Sequence, residues 1–378
     1  MDLLGTVVAF LAVLVVLVLV HELGHFALAK WAGITVEEFG IGFPPRIGSV
    51  RWRGTRYSVN WIPLGGFVKM LGEDGEIDAQ RLRQQGLSEA EVDRAMVGAF
   101  NRKPIPLRLA VLFAGVLMNF VLGALLFAAA LSLPQQVGYG PLIVREVQPG
   151  SPAEGRLEPG DRVVTADGRT FERSRDLTQY VVEQARLRPG EPVVLGVERG
   201  GEEIALVVTP RNLTPDQVNQ GQGAIGFAYE PTRWVEEEPI AGNPIEALGI
   251  GFERAWFLAT NIPLELGRAV GGILGLAPDS GAARGPIGIA EETGRVLDAP
   301  IVQQLIFVGL LSVNLAVLNV LPFPPLDGGR IAVTLLEAVR RRRLPAEREA
   351  LIYLTGFAVL LVLVILISIQ DVGRLLGG

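Results

Sequence analysis

The sequence predicts a polytopic α-helical membrane protein: four transmembrane helices, a membrane-associated β-hairpin region and one inserted soluble α/β domain. Three observations predict it. Four long runs are almost free of charge, in a chain that is 49% hydrophobic and 20% charged. Basic residues gather in two of the segments that join these runs. The long segment between the second and third runs alternates polar and apolar residues between turn signals, as a folded domain does. The absence of cysteine excludes a disulfide scaffold and any thiolate metal or redox site. The apolar fraction excludes a disordered chain, and a net charge of −6 over 378 residues points to no nucleic-acid partner.

The first element, residues 1–31, opens with the uncharged run Leu3 to Val20. At about 1.5 Å per residue this covers most of a hydrocarbon core of roughly 30 Å. A cleaved signal peptide is the competing reading, and Ala27-Leu28-Ala29 resembles a cleavage site. The start Met1-Asp2 lacks positive charge and the run is too long for such a signal, so a retained span fits better.

Residues 32–106 are a cytoplasmic, membrane-associated region. Val36 to Phe39, Arg46 to Arg53 and Arg56 to Trp61 read as strands, ending in Ile62-Pro63-Leu64-Gly65-Gly66-Phe67. They form either a plain loop or a small sheet that offers its edge to an extended peptide. Ser88 and Glu91 have capping-box spacing and start a short connector helix over 88–99. The second span is 107–133, interrupted mainly by Asn119.

Residues 134–212 read as an α/β module. Its strands are Leu142 to Val147, Arg162 to Ala166, Val193 to Glu198 and Ile204 to Val208, with a helix over Asp176 to Ala185. The turns Pro149-Gly150-Ser151-Pro152-Ala153 and Pro159-Gly160-Asp161 make it resemble a PDZ domain, which binds peptide C-termini or extended segments by strand addition. In the connector 213–300, Ile250 to Leu276 is apolar but carries Glu253, Arg254, Glu265 and Arg268. Such charges are costly at mid-membrane, so an amphipathic helix on the outer membrane surface is expected.

The third span, 301–328, carries Asn314, Asn319 and a proline cluster; a basic loop, 329–350, and a fourth span with its tail, 351–378, complete the chain. The first connecting loop holds Lys30, Arg46, Arg51, Arg53, Arg56, Lys69, Arg81, Arg83, Arg94, Arg102 and Lys103. The last holds Arg330, Arg340 to Arg343 and Arg348. Both loops are therefore expected in the cytoplasm, with the termini and 134–300 outside. The Arg340–Arg343 run reads as the positive anchor of a span rather than a nucleic-acid patch.

The chain's two histidines stand together in His21-Glu22-Leu23-Gly24-His25, at the cytoplasmic end of the first span. On a helix, positions i and i+4 share a face, so the two imidazoles can hold one Zn²⁺. Zinc lowers the pKa of a water to roughly 7, and Glu22 is placed to take its proton. A chance match inside a helix is the alternative. Three ionisable residues continuing a membrane span argue against it. Catalytic zinc usually keeps three protein ligands. With no further His and no Cys, the third must be Asp or Glu. The candidate is Asp327, after Asn319-Val320-Leu321-Pro322-Phe323-Pro324-Pro325-Leu326 and before Gly328-Gly329. The prolines end the helix and the glycines permit a tight turn. Asp327 either joins the histidines there or caps a loop at the membrane surface.

These residues resemble the site-2 protease family of intramembrane zinc metalloproteases, with close similarity to its bacterial RseP and RasP group, over nearly the whole chain. His21 to His25 matches the family's zinc motif, and Asn319 to Gly328 matches its N-x-x-P-x-P-x-L-D-G signature. Ile62 to Gly72, Gly285 to Ala290, and Ala114-Gly115 with Asn119 also resemble family segments. The resemblance implies zinc ligands His21, His25 and Asp327, with Glu22 as general base. It implies supporting roles toward substrate for Asn319, Pro322, Pro324, Gly65 and Gly66. The 34–70 segment would pair with an unwound substrate strand, and the PDZ module would screen substrates. Those substrates would be single-span membrane proteins already trimmed by another protease, notably anti-sigma factors and remnant signal peptides. The location implied is the bacterial inner membrane, with the active site toward the cytoplasm and the PDZ domain outside. Three departures stand out: one PDZ domain where some members have two, Gly42-Phe43-Pro44-Pro45 near the hairpin, and Val116 where proline is common. The rival readings are a non-catalytic PDZ-bearing membrane adaptor and a metal transporter. The transporter would need polar residues on several spans, yet the fourth has almost none.

Overall fold

The computed structural model describes residues 3–73, 76–84, 86, 88–211, 223–273, 285–342 and 344–377. These fall into two units, one within 1–132, 241–264 and 284–378, the other within 133–240 and 265–283.

Four helices of the first unit are long and apolar enough to cross a membrane. Helix α1 (Leu3–Trp31) runs without a break from the uncharged segment through the His-Glu motif. Gly33, at φ +65°, closes it in the left-handed conformation that a side chain would resist. Helix α4 (Ile105–Leu131) follows Pro104 and takes Pro106 into its first turn, where a missing N–H costs nothing. Helix α8 (Ile301–Val320) follows Pro300 and stops before Pro322. Helix α10 (Ala346–Gly377) is the fourth. Helices α1 and α4 overlap the expected first and second spans; α8 ends at Val320, short of the expected 328, and α10 begins at Ala346, ahead of the expected 351.

Between α1 and α4 lie strands β1 (Val36–Trp52) and β2 (Thr55–Met70), then short helices α2 (Glu76–Gln84) and α3 (Glu89–Ala95). The strands fold as four segments rather than a plain hairpin. Residues 38–41 pair with 66–69 on one side and with 56–59 on the other, while 46–52 pair back onto 55–60. The segment order is therefore 46–52, 55–60, 36–43, 62–70, which leaves 62–70 at an edge. Glu38 sits among these segments. Burial raises its pKa, but Ser58, Arg46 and Arg56 outweigh that and hold it below the usual carboxylate range. Ser88 and Glu91 form the expected capping box, with the Glu91 carboxylate accepting from Ser88 N at 2.9 Å.

The second unit holds a six-stranded sheet built from β3 (Gln135–Val147), β4 (Arg162–Ala166), β5 (Arg169–Thr170), β6 (Val193–Arg199), β7 (Glu202–Val208) and β8 (Phe227–Glu237). Its order is β7-β6-β4-β3-β8, with β5 on β4. Helix α5 (Ser174–Leu187) buries Leu177, Val181 and Ala185, a helical stripe, against Leu142, Val144, Val163 and Leu195. The sheet thus reaches past the boundary expected at residue 212, because β8 pairs along β3. Pro231 in β8 obscured the strand pattern, and the edge is where a sheet tolerates it.

Helix α6 (Pro244–Ile273) is the amphipathic element expected to lie on the outer membrane surface. Its part up to Leu264 packs along α4. Gly251 lies against the backbone of Ala124 and Ala128, and the Phe252 and Trp256 rings meet Phe120 edge to face. A face of Gly251, Ala255 and Ala259 lets two helix backbones approach closely, which apolar periodicity alone does not reveal. Helix α7 (Pro286–Leu297) packs Gly294 against Thr6 of α1, and the Asp371 carboxylate of α10 accepts from Gly285 N and Gly288 N at its start.

Candidate metal centre

Helix α9 (Asp327–Arg340) begins where the proline cluster ends. The tight turn expected at Gly328-Gly329 is instead its first turn. A Cβ on Gly328 would meet the carbonyls of Val320 and Leu321, and one on Gly329 would meet Pro324. Glycine serves close approach here, not a left-handed turn. Asp327 opens the helix, where the unpaired N–H groups favour a negative charge. At the other end of α9, Glu337 forms an ion pair with Arg108 of α4 at 3.3 Å, both side chains largely buried.

This placement brings Asp327 onto the histidine pair. Asp327 Oδ2 lies 2.8 Å from His21 Nε2 and 3.1 Å from His25 Nε2, across sequence separations of 306 and 302 residues. The two Nε2 atoms are 3.1 Å apart. His21, His25 and Asp327 are the one such group among the described residues, with ligand atoms within 4.8 Å of one another. Both imidazoles are buried.

Helix α4 builds the floor of this site. Gly24 of α1 rests on the Ala114 carbonyl, and a Cβ on Gly115 would collide with both imidazole rings. The Val111 carbonyl accepts from His25 Nδ1–H at 2.8 Å. Asn119, fully buried, faces His21 Nδ1, with Nδ2 at 3.4 Å. One turn beyond Asn119 on α4, Gly123 meets Gly309 and Val313 of α8, and Ser312 Oγ donates to the Asn119 carbonyl at 2.7 Å.

The donor set suits zinc. Tetrahedral ligands at about 2.1 Å from one ion lie about 3.4 Å from each other, so gaps of the observed size need open by only about 0.3–0.6 Å. The bond from His25 Nδ1–H to Val111 leaves the Nε2 lone pair free, as ligation requires.

The other expected residues are placed as follows. Glu22 is half-buried beside the sheet, where a Cβ on Gly66 would stand 3.5 Å from its Cγ. Gly65, at φ +110°, turns the chain against Val18 of α1. These two glycines thus set the edge segment 62–70 next to the His-Glu motif. Pro324 packs under Gly356 of α10, and Pro322 is exposed. Asn319 is turned onto its own helix, with Nδ2 donating to the Leu315 carbonyl at 3.0 Å. The structure adds Arg330, paired with Glu73 just past β2, which ties the sheet's end to α9. Val111 and Ser312 carried no sequence signal, and Gly115 carried only its place in a segment that resembles the family, with no role attached. A backbone carbonyl, a glycine and a helix serine report nothing about which neighbour they face.

The model of peptidase family M50 matches residues 9–363. A relative from Agrobacterium fabrum that carries a zinc metalloprotease name is 32% identical over 99% of this chain and 97% of its own. The metalloprotease MmpA of Caulobacter vibrioides is 31% identical over 97% of this chain and 95% of its own. The zinc metalloprotease RasP of Geobacillus kaustophilus is 29% identical over 98% of both. Among solved structures, the PDZ domain of an SdrC-like protein from Listeria innocua is 21% identical, covering 25% of this chain and 97% of its own with a TM-score of 0.21, a likeness too slight to define a fold.

Proposed function

From the premise that the chain belongs to peptidase family M50 and is a zinc metalloprotease, we propose that it cleaves single-span membrane proteins within or near the bilayer, at the centre made by His21, His25 and Asp327. One observation carries this reading: two histidines on α1 and an aspartate some three hundred residues later share a buried point at the end of membrane-length helices. The adaptor reading gives no reason for that convergence.

The three side chains hold the ion, and zinc so bound supplies a Lewis acid and a nucleophile at neutral pH. Glu22, adjacent to the first ligand, takes a proton from the attacking water and returns it to the leaving amine. A substrate helix has its carbonyls bonded internally, so it must unwind before attack. The edge segment 62–70, held beside Glu22 by Gly65 and Gly66, offers backbone groups to the unwound strand. The sheet-and-helix module is a PDZ domain that receives peptide C-termini or extended segments and screens substrates. Pre-trimmed anti-sigma factors and remnant signal peptides are the substrate classes proposed. The location is the bacterial inner membrane, with the metal centre toward the cytoplasm and the module outside.

The test is Glu22→Gln, assayed on a trimmed single-span substrate. Cleavage should fall by about 10²-fold or more, while zinc content stays that of the unaltered protein. Undiminished cleavage would remove Glu22 from the role of base.

A further inference from the structure

Val111, Gly115 and Asn119 are spaced i, i+4, i+8 on α4 and form one stripe toward the histidine pair. Each does something different there. The Val111 carbonyl holds His25 through Nδ1–H, Gly115 makes room for both rings, and Asn119 meets Nδ1 of His21. The stripe thus runs antiparallel to α1 and serves each imidazole in turn.

A histidine that binds metal through Nε2 carries its proton on Nδ1, and that proton needs an acceptor. His25 has the Val111 carbonyl. For His21 the group facing Nδ1 is the Asn119 amide. Its Oδ1 is buried without a hydrogen-bond partner while Nδ2 points at the ring. Half a turn about the Cβ–Cγ bond exchanges the two atoms in nearly the same space. It gives the orphaned oxygen a donor. The opposite arrangement, Nδ2–H donating to Nδ1, forces the proton onto Nε2 and blocks ligation. Ser312, bonded to the Asn119 backbone carbonyl, holds that turn of α4 in place.

We propose that Asn119 is the positioning residue of His21: its Oδ1 accepts from Nδ1–H and fixes the tautomer whose Nε2 binds zinc. This rests on the reading that His21 and His25 hold the metal. A fully buried side chain inside an apolar span thereby acquires a function through the ring it faces.

The test compares Asn119→Leu with Asn119→Asp in the full-length, zinc-loaded protein in detergent, titrating zinc retention against a chelator. Leu keeps the volume and removes the acceptor; Asp keeps the acceptor. Removing such a partner weakens metal affinity about 10–100-fold, so Leu should lose zinc by that factor while Asp stays within about threefold of the unaltered protein. Retention by Leu equal to the unaltered protein overturns the proposal, as does equal loss by Leu and Asp, which would mean packing alone. Should the Leu variant not fold, ¹⁵N-imidazole spectra of the unaltered protein decide. With only two histidines in the chain, the His21 ring should show Nδ1 protonated and Nε2 metal-bound; His21 bound through Nδ1 overturns it. If the unaltered protein holds no zinc, or His21→Ala holds it as tightly, the underlying metal-site reading fails instead.

Discussion

Gly115 shows how little a site residue needs to carry. A single methyl group there would stand 2.7 Å from His25 Cε1 and 2.8 Å from His21 Cε1, distances real contacts do not reach. Either α4 backs away from α1 or the imidazoles swing off Asp327. Gly115→Ala is therefore expected to lower zinc retention by about tenfold or more, the scale seen when supporting groups of a metal site are disturbed. Gly249→Ala is the control, because a Cβ there meets nothing within 4 Å. Metal content after dialysis against a chelator distinguishes them, and equal retention would show that the rings do not depend on this close approach. The same residue marks the limit of sequence reading. His21, Glu22, His25 and Asp327 were legible because rare, costly side chains stood at membrane ends. The resemblance marked Gly115, but what a glycine in an apolar helix does stays hidden until the facing helix is known.

At the scale of elements, the long apolar helices and α3 were legible because their signals are local: apolar runs, prolines at starts, a capping box at Ser88 and Glu91. The segment 329–350, expected as a basic loop, instead forms most of α9 up to Arg340, and α2 and α7 were not among the expected helices. Pairing was not legible, since residues 38–41 bond to two different segments and β8 joins β3 across some eighty residues of chain. Where such a sheet is closed by charge, stability depends on pH. Asp161, its side chain almost wholly buried, accepts from Arg199 Nε and Nη2 at 2.7 Å each and from Glu158 N at 2.9 Å. Burial raises its pKa, but Arg199 and the Glu158 amide outweigh that and leave it below the usual carboxylate range. A depressed folded-state pKa stabilises fully above the unfolded value of about 3.9 and loses that stabilisation as pH falls toward the folded one. Asp161→Asn should cost the module about 2–3 kcal/mol at neutral pH. Amide hydrogen exchange in β4 and β6 would read it, and the variant should gain less from a rise between pH 3 and 5 than the unaltered chain. An identical rise in both would exclude Asp161 as the titrating group.

At the scale of the whole molecule, the proposed chemistry requires that α1 and α8 bring their C-terminal ends to the same side of the bilayer, since His21, His25 and Asp327 meet there. Counting spans from the N-terminus, this holds only if an even number of crossings separates them, so α4 must cross once and α6 must not. The packing of α6 along α4 down to Phe120 makes that point worth testing, because a helix at membrane depth is not thereby a crossing. The natural chain has no cysteine, so single-cysteine variants label without background. Arg51, on the sheet between α1 and α4, and Glu202, on the module after α4, are both exposed. A membrane-impermeant thiol reagent applied to spheroplasts should label Glu202→Cys at once and Arg51→Cys only after permeabilisation. This polarity is expected because Arg46, Arg51, Arg53 and Arg56 lie in a segment whose basic residues favour the cytoplasmic side. A third variant, Val339→Cys on the exposed face of α9, should behave as Arg51→Cys does. If Val339→Cys is labelled from outside while Arg51→Cys is protected, α6 crosses the bilayer, and the metal centre cannot form from these three residues.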